Sequence, residues 1–319
     1  MREGVGQGDL AAVKAAARVG DVDERFDDGL TALILAAYSG NVEIVRFLLE
    51  SGANPNVQND DGETCLVSGT APENADEIIP LLLAGGADPN LRDSQDRSPL
   101  VWAALQGHVG ATSALVKAGA DLSARDKEGV TALAAAVVSG HGDILDVLLA
   151  AGGTTDRGKA AMIAVNGEKP EMVLKIVDSG LSVDYAEGDP PSALLHYAAL
   201  YGHVDTARGL LKRGATADIL GRDDTAPLGL AAYAGHVDVV RALLEAGAEV
   251  DHVTAMKGSA LRAAAETGAR GCVEVLLAAG ADPLLKDKWD KLPVNYATEN
   301  GHVAVAELLT AAAGERKSR

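Results

Sequence analysis

The sequence predicts an all-α solenoid of stacked helix-turn-helix units with short β-hairpin or turn connections. Three observations carry that expectation. Helix-ending leucines recur at a fixed interval: Leu211, Leu244 and Leu277 are each 33 residues apart, and Leu83, Val116 and Leu149 keep the same step upstream. Gly-His pairs fall in the same register, at Gly107-His108, Gly140-His141, Gly202-His203, Gly235-His236 and Gly301-His302. Apolar residues make up 47% of the 319-residue chain but aromatics only 3%. Small apolar side chains suit thin, closely packed layers, and a sustained period of this length is the mark of a repeat array.

Each unit reads in the same order. A turn rich in Asp and Gly comes first. Thr31-Ala-Leu-Ile-Leu-Ala-Ala37 reads as a short helix, with the Thr31 hydroxyl placed to accept from an unpaired backbone N–H at its start. Gly40 breaks that helix. Val42-Glu-Ile-Val-Arg-Phe-Leu-Leu49 reads as a second, with apolar residues at helical spacing. Gly52-Ala-Asn-Pro-Asn56 ends it, glycine taking the left-handed conformation at no steric cost. Helices this short are marginal in isolation, so neighbours must hold them. The alanine pairs Ala36-Ala37, Ala103-Ala104, Ala198-Ala199, Ala231-Ala232 and Ala264-Ala265 permit close approach.

The register divides the chain into a partial capping unit at 1–26, repeats 1–4 at 27–153, an irregular fifth repeat at 154–185, repeats 6–9 at 186–313 and a polar, frayed tail at 314–319. The step from Leu149 to Val177 is only 28 residues. Two readings of that shortfall stand: a degenerate repeat that still stacks, or a hinge between two half-arrays. The second repeat carries an extra residue around Thr70-Ala-Pro-Glu-Asn74, which lengthens its inter-helix loop.

The segments Gly129-Val-Thr-Ala-Leu133, Ser98-Pro-Leu100, Leu195-His-Tyr-Ala-Ala199 and Leu243-Leu-Glu-Ala-Gly-Ala248 resemble the pattern of the ankyrin-repeat family, and the likeness runs along nearly the whole chain. The resemblance implies a protein-protein interaction module that binds through a concave face made by first helices and hairpins: a scaffold, an inhibitor or an immunity-type binder. It also implies that Asn56 and Asn90 occupy the hairpin position that asparaginyl hydroxylases modify in some ankyrin proteins.

Composition narrows the partner. Lys and Arg number 28 against 46 Asp and Glu, a net charge of -18. That balance argues against nucleic acid, which needs basic surface to neutralise phosphates. It favours a protein partner, one with a basic surface. No apolar run approaches the roughly 20 residues of a membrane helix. Met1 to Leu10 lacks the form of a secretion signal. Two distant cysteines, Cys65 and Cys272, fit a reducing cytoplasm. A monomer is expected.

No catalytic, metal or cofactor site emerges, so the chain reads as a binding protein and not an enzyme. His108, His141, His203, His236 and His302 sit at the Gly-His turn position, and His196 lies within a first helix. Their regular register suggests a structural role in the turns. Cys65 and Cys272 have no sequence-local activator and read as buried thiols. Gly4-Val-Gly6-Gln-Gly8 follows no strand, and no phosphate-binding G-x-x-x-x-G-K-[ST] motif occurs.

The candidate binding residues come from the scarce aromatics and the acidic turns. Trp102, Tyr197 and Tyr296 precede the alanine pairs or their equivalents and read as interior packing. The resemblance places Tyr38, Tyr201 and Tyr233 at variable positions facing the concave side, and Trp289 falls near a hairpin tip. Asp27-Asp28, Asp60-Asp61 and Asp223-Asp224 would form an acidic edge. Two other readings remain beside protein binding: a regulatory ligand sensor working through the fifth repeat, and an enzyme with a groove site.

Overall fold

A computed structural model of the chain describes residues 1–26, 28–189, 191–221, 224–253 and 258–317. It divides into two compact units, Met1–Ala160 and Ala161–Arg319, with the boundary inside the short-period fifth repeat. The first unit holds α1 (Arg2–Gly6), α2 (Leu10–Ala17), α3 (Ala32–Tyr38), α4 (Val42–Glu50), α5 (Cys65–Ser68), α6 (Ala75–Ala84), α7 (Pro99–Gln106), α8 (Val109–Lys117), α9 (Ala132–Ser139) and α10 (Gly142–Ala150). Helix α11 (Arg157–Asn166) crosses the boundary. The second unit holds α12 (Pro170–Asp178), β1 (Ala186–Glu187), β2 (Ser192–Ala193), α13 (Leu194–Tyr201), α14 (Val204–Lys212), α15 (Pro227–Ala234), α16 (Val237–Glu245), α17 (Ala260–Thr267), α18 (Arg270–Ala278), α19 (Pro293–Glu299) and α20 (Val303–Lys317).

Within each unit the helices form two layers. First helices stack in sequence, α1 on α3, α5, α7 and α9 in one unit and α13 on α15, α17 and α19 in the other. Second helices form the other layer, α2 through α10 and α12 through α20. Helix α3 shows how the sequence selects this packing. Leu33, Ile34, Ala36 and Ala37 are buried, whereas Leu35 is half-buried and Tyr38 exposed. Apolar side chains three and four apart thus face the interior. Thr31, Thr64, Ser98, Thr131 and Ser259 cap first helices by accepting from the backbone N–H three residues on.

The turns are tied by two sets of side chains. Asn59, Asp93, Asp126 and Asp287 each accept from backbone N–H groups two and four residues on, closing their own turn. A second set joins one repeat to the next. Asp23, Asn56 and Asn90 accept from the N–H of Asn54, Asp88 and Asp121 in the first unit. Asp184, Asp218 and Asp251 accept from Thr216, Glu249 and Asp282 in the second. Strands β1 and β2 form a two-stranded antiparallel sheet, pairing Ala186 with Ala193 and Glu187 with Ser192.

Histidine links the layers at the inter-helix turns. Gly202 has φ +77°, and a Cβ there would lie 2.5 Å from His236 of the next repeat. Glycine is therefore required both for its left-handed backbone and for the close approach of the ring. His236 Nε2 lies 3.1 Å from the Leu200 carbonyl. His141 and His302 make the same contact with Leu105 and Glu266. His196 sits elsewhere, buried in α13. Its Nδ1 accepts from Ala193 N–H, which leaves Nε2 to donate to the Thr225 carbonyl, both at 3.0 Å.

In the capping unit α1 precedes α2 and packs on α3. One local expectation changes. The polar tail is not frayed through Lys317: α20 continues to that residue, and Arg316 donates toward the Gly280 and Ala281 carbonyls. No Gly-Ala-Asp turn interrupts the helix there, and Glu, Arg and Lys are good helix formers. The second repeat behaves as read: α5 is four residues long and a loop from Gly69 to Asn74 leads to α6.

Two predictions follow from this packing. Leu133→Ala and Leu228→Ala, each at a nearly fully buried side chain, should each cost about 2–5 kcal/mol in denaturant unfolding; a loss below roughly 0.5 kcal/mol would contradict the layer assignment. Burial lowers the His196 pKa below its ordinary 6.5, against the smaller opposing effect of its backbone hydrogen bonds. The unfolded chain then takes up the proton first as pH falls, so the stabilisation is complete above 6.5 and is lost on acidification toward the folded value. The melting temperature of the native protein should fall between about pH 7 and pH 5, and that fall should be smaller in His196→Gln.

Candidate functional site

The residues left over by the layer packing form the candidate site. In α3 the outward positions are Leu35, Tyr38 and Ser39, three and four apart on the face opposite the core. The equivalent positions in the second unit are Tyr197, Leu200 and Tyr201; Leu230, Tyr233 and Ala234; Ala263, Glu266 and Thr267; and Tyr296, Glu299 and Asn300. There the face and the turn around Trp289 enclose a cavity of about 550 Å³, whose walls include Leu200, Leu230, Tyr233, Arg262, Glu266 and Trp289.

Arg262 organises one side of the cavity. Its side chain is only 11% exposed and its Nη2 lies 3.1 Å from Glu266 Oε2. Its guanidinium stacks 4.2 Å from the Tyr296 ring centroid. The Tyr296 hydroxyl in turn donates to Asp287. Burial alone would raise Asp287, but the bonds from Tyr296 and from the backbone of Lys291 and Trp289, with Arg262 nearby, outweigh it and hold the carboxyl below its ordinary 3.8. Burial and the Asp287 carboxylate raise the Tyr296 phenol. The first unit repeats the arrangement with other residues. Trp102 Nε1 donates to Asp93 at 2.9 Å, while Arg97 covers the indole at 4.2 Å and bonds the same carboxylate.

These contacts correct the reading of Trp102, Tyr197 and Tyr296 as interior packing. All three are half-buried. Each precedes a buried alanine by one residue, Ala103, Ala198 and Ala297, and a rotation of about 100° per residue turns it from that interior position toward the outward face.

The sequence-derived binding residues are placed as follows. Tyr38, in the first unit, is 63% exposed at the end of α3. Tyr201 and Tyr233 are each 51% exposed and Trp289 is 55% exposed, all in the second unit. Tyr233 and Trp289 line the same cavity. Tyr201 lies against Tyr197 and His203, with ring centroids 6.4 and 5.8 Å away. Lys288 Nζ stands 4.5 Å from the Trp289 ring. Asp27 and Asp223 lie outside the described residues. Asp61 and Asp224 are exposed. Asp28 pairs with Arg2 at 2.9 Å and Asp60 with Arg25 at 3.4 Å, so the acidic edge is partly neutralised within the chain. Leu200, Leu230, Arg262 and Glu266 were not singled out from the sequence. Their signal was register, because they share outward positions with the aromatics or flank them.

The remaining reactive groups are otherwise engaged. Burial pushes the Cys65 thiol up to about 12 and Cys272 to about 11, so neither supplies a thiolate near neutral pH. Among the described residues no three His, Cys, Asp or Glu side chains come together as a metal site. No described helix is long and apolar enough to cross a membrane.

A family model for ankyrin repeats (three copies) matches residues 4–93, 67–157, 159–254, 195–287 and 228–318. The chain is also 44% identical over 63 residues to a protein of Treponema pallidum (strain Nichols) whose name describes it as ankyrin repeat-containing. That stretch is 19% of this chain and 21% of the relative, so the chain spans about a fifth of the relative's length.

The geometry separates exposed aromatics from anchored ones. Tyr233→Ala should leave stability within about 0.5 kcal/mol, as for an ordinary surface change. Tyr296→Phe, which removes the bond to Asp287, should cost roughly 1–2 kcal/mol. Denaturant titration of the two variants checks the contrast, and equal losses would contradict it.

Proposed function

Because the chain belongs to the ankyrin-repeat family, we propose that it is a protein-binding module and that the groove of its second unit is a principal contact surface. Ankyrin repeats are in general protein-protein interaction modules, and scaffold, inhibitor or immunity-type binder are the roles open to this one. The observation that carries the groove assignment is the exposure of Tyr201, Tyr233 and Trp289 in a chain with only 3% aromatics. Solvent-facing aromatics are costly to leave bare and serve disproportionately as interface anchors. Tyr38 extends the proposed set to the first unit, with Asp28, Asp60, Asp61 and Asp224, and with Asp27 and Asp223 by sequence.

Charge supports a basic partner. Residues 1–160 carry 24 acidic against 12 basic side chains, and residues 161–319 carry 22 against 16. Such an excess mainly accelerates association and is screened by salt. The cavity is also of a size that suits a small ligand. Metabolite-induced thermal stabilisation without any protein partner would transfer the groove to a sensing role.

With a partner in hand, Tyr201→Ala and Tyr233→Ala should weaken binding by roughly 2 kcal/mol each while leaving the melting temperature nearly unchanged. Neutralising Asp60 and Asp61 should slow association more at low salt than at high salt. Surface plasmon resonance at two ionic strengths reads both effects. Tyrosine variants that bind normally, beside second-helix variants that do not, would place the interface on the opposite layer.

A further inference from the structure

The groove of the second unit changes chemistry along its length. The same outward position in four successive first helices is Leu200, Tyr233, Glu266 and Glu299. Beside the first two lies Leu230, half-buried in the cavity wall. Beyond them come two carboxylates. Glu266 is held by Arg262 and Glu299 by Lys291, at 3.1 and 2.8 Å. Each is already turned toward a cation, and a carboxylate with its several lone pairs can accept a second. Leu200, Leu230 and Tyr233 offer a charged group no partner at the apolar end, so it would lose hydration against them without return.

Gly229 explains why the apolar end is open. It is in the first turn of α15, and glycine is a poorer helix former than alanine. Its φ is not in the left-handed region, and a Cβ built on it would meet nothing within 4 Å. Neither backbone nor packing therefore requires glycine. Gly209 and Gly271 differ, since a Cβ at either would strike Leu174 or Val237 at 2.6 and 2.8 Å. In the repeats on either side, the position of Gly229 is filled by His196 and Arg262. The absent side chain deepens the cavity bounded by Leu230, Tyr233 and Trp289.

Resting on the reading of this groove as a protein-binding surface, we infer that it takes an extended polypeptide segment with one large uncharged apolar side chain over Gly229 and a lysine or arginine farther along, over Glu266 and Glu299. Packed helices lie about 8–10 Å apart, and an extended chain advances about 3.3 Å per residue. One repeat thus corresponds to about three residues, so the cations stand about three and about six positions from the apolar anchor. Gly229 sets the size of the anchor, and the two glutamates set the direction in which the segment lies.

Selection of a random peptide library on the full-length chain tests this, with peptides of about twelve residues, long enough to cross four repeats. Selected sequences should share a Leu-, Phe- or Trp-sized residue with Lys or Arg about three or six positions away. For a synthetic peptide of that kind, Gly229→Leu should raise Kd about tenfold or more without lowering the melting temperature. Gly229→Ala, which adds one methyl and favours helix, should shift Kd in the same direction by less and guards against misfolding of the larger variant. Glu299→Gln should weaken binding severalfold and flatten its salt dependence. Acidic or featureless selected peptides, no selected peptides, or an unchanged Kd in both Gly229 variants would overturn the inference. If the Gly229 variants bind normally but Tyr233→Ala and Trp289→Ala do not, the groove still binds protein and only the anchor assignment fails. If all four bind normally, the groove assignment itself fails.

Discussion

Everything in this protein depends on the close stacking of helices too short to stand alone. First helices of four to ten residues cannot recover the cost of helix initiation in isolation. They persist because they pack on one another, and α3, α7, α13, α15 and α17 do so with a buried alanine pair. Ala36, Ala37, Ala103, Ala104, Ala198, Ala199, Ala231, Ala232, Ala264 and Ala265 have essentially no exposed surface. The inter-helix glycines Gly107, Gly202 and Gly268 serve the same end. Where Gly202 and Gly268 lack a Cβ, the rings of His236 and His302 close onto them and reach the carbonyls of the preceding repeat.

Stacking then dictates where polar groups must go. A turn that ends one helix pair and begins the next leaves backbone N–H groups without helical partners. Side-chain oxygens supply partners in two ways, within the turn at Asn59, Asp93, Asp126 and Asp287 and across to the neighbouring repeat at Asp23, Asn56, Asn90, Asp184, Asp218 and Asp251. Much of the chain's acidity is therefore structural. Asp93 is buried and accepts four hydrogen bonds, and Asp287, half-buried, accepts from the N–H groups of Trp289 and Lys291 and from the Tyr296 hydroxyl. The acidic side chains that remain exposed, such as Asp61 and Asp224, are the ones able to act on a partner.

The same logic frees one helix face. With the interior satisfied by residues such as Leu228, Ala231 and Ala232, the positions at 230, 233 and 234 carry no packing duty. Their side chains can vary without unfolding the array, which is why the proposed contact surface lies there. The second unit presents there an apolar end, an acidic end and, in the first turn of α15, a glycine that neither backbone nor packing requires. Arg262 is part of this surface and also of the framework, since it stacks on Tyr296 and pairs with Glu266.

The sequence by itself determined the repeat, its two-helix units and their buried residues, because period, glycine punctuation and apolar spacing are local signals. It also located Tyr38, Tyr201, Tyr233 and Trp289 as outward residues, through register and resemblance. Only the tertiary structure decided which aromatics were half-buried and anchored, since Trp102 and Tyr296 owe their positions to Asp93 and Asp287 nine residues earlier and to Arg97 and Arg262. It alone showed that Tyr233 and Trp289 line one cavity, and that Arg2 and Arg25 neutralise Asp28 and Asp60 across 26 and 35 residues. The physical reason is the same in each case. Repeat spacing reports what recurs, whereas a cavity, a hydrogen bond or an ion pair depends on distances between particular side chains, in one repeat or in neighbouring ones, which the period does not encode.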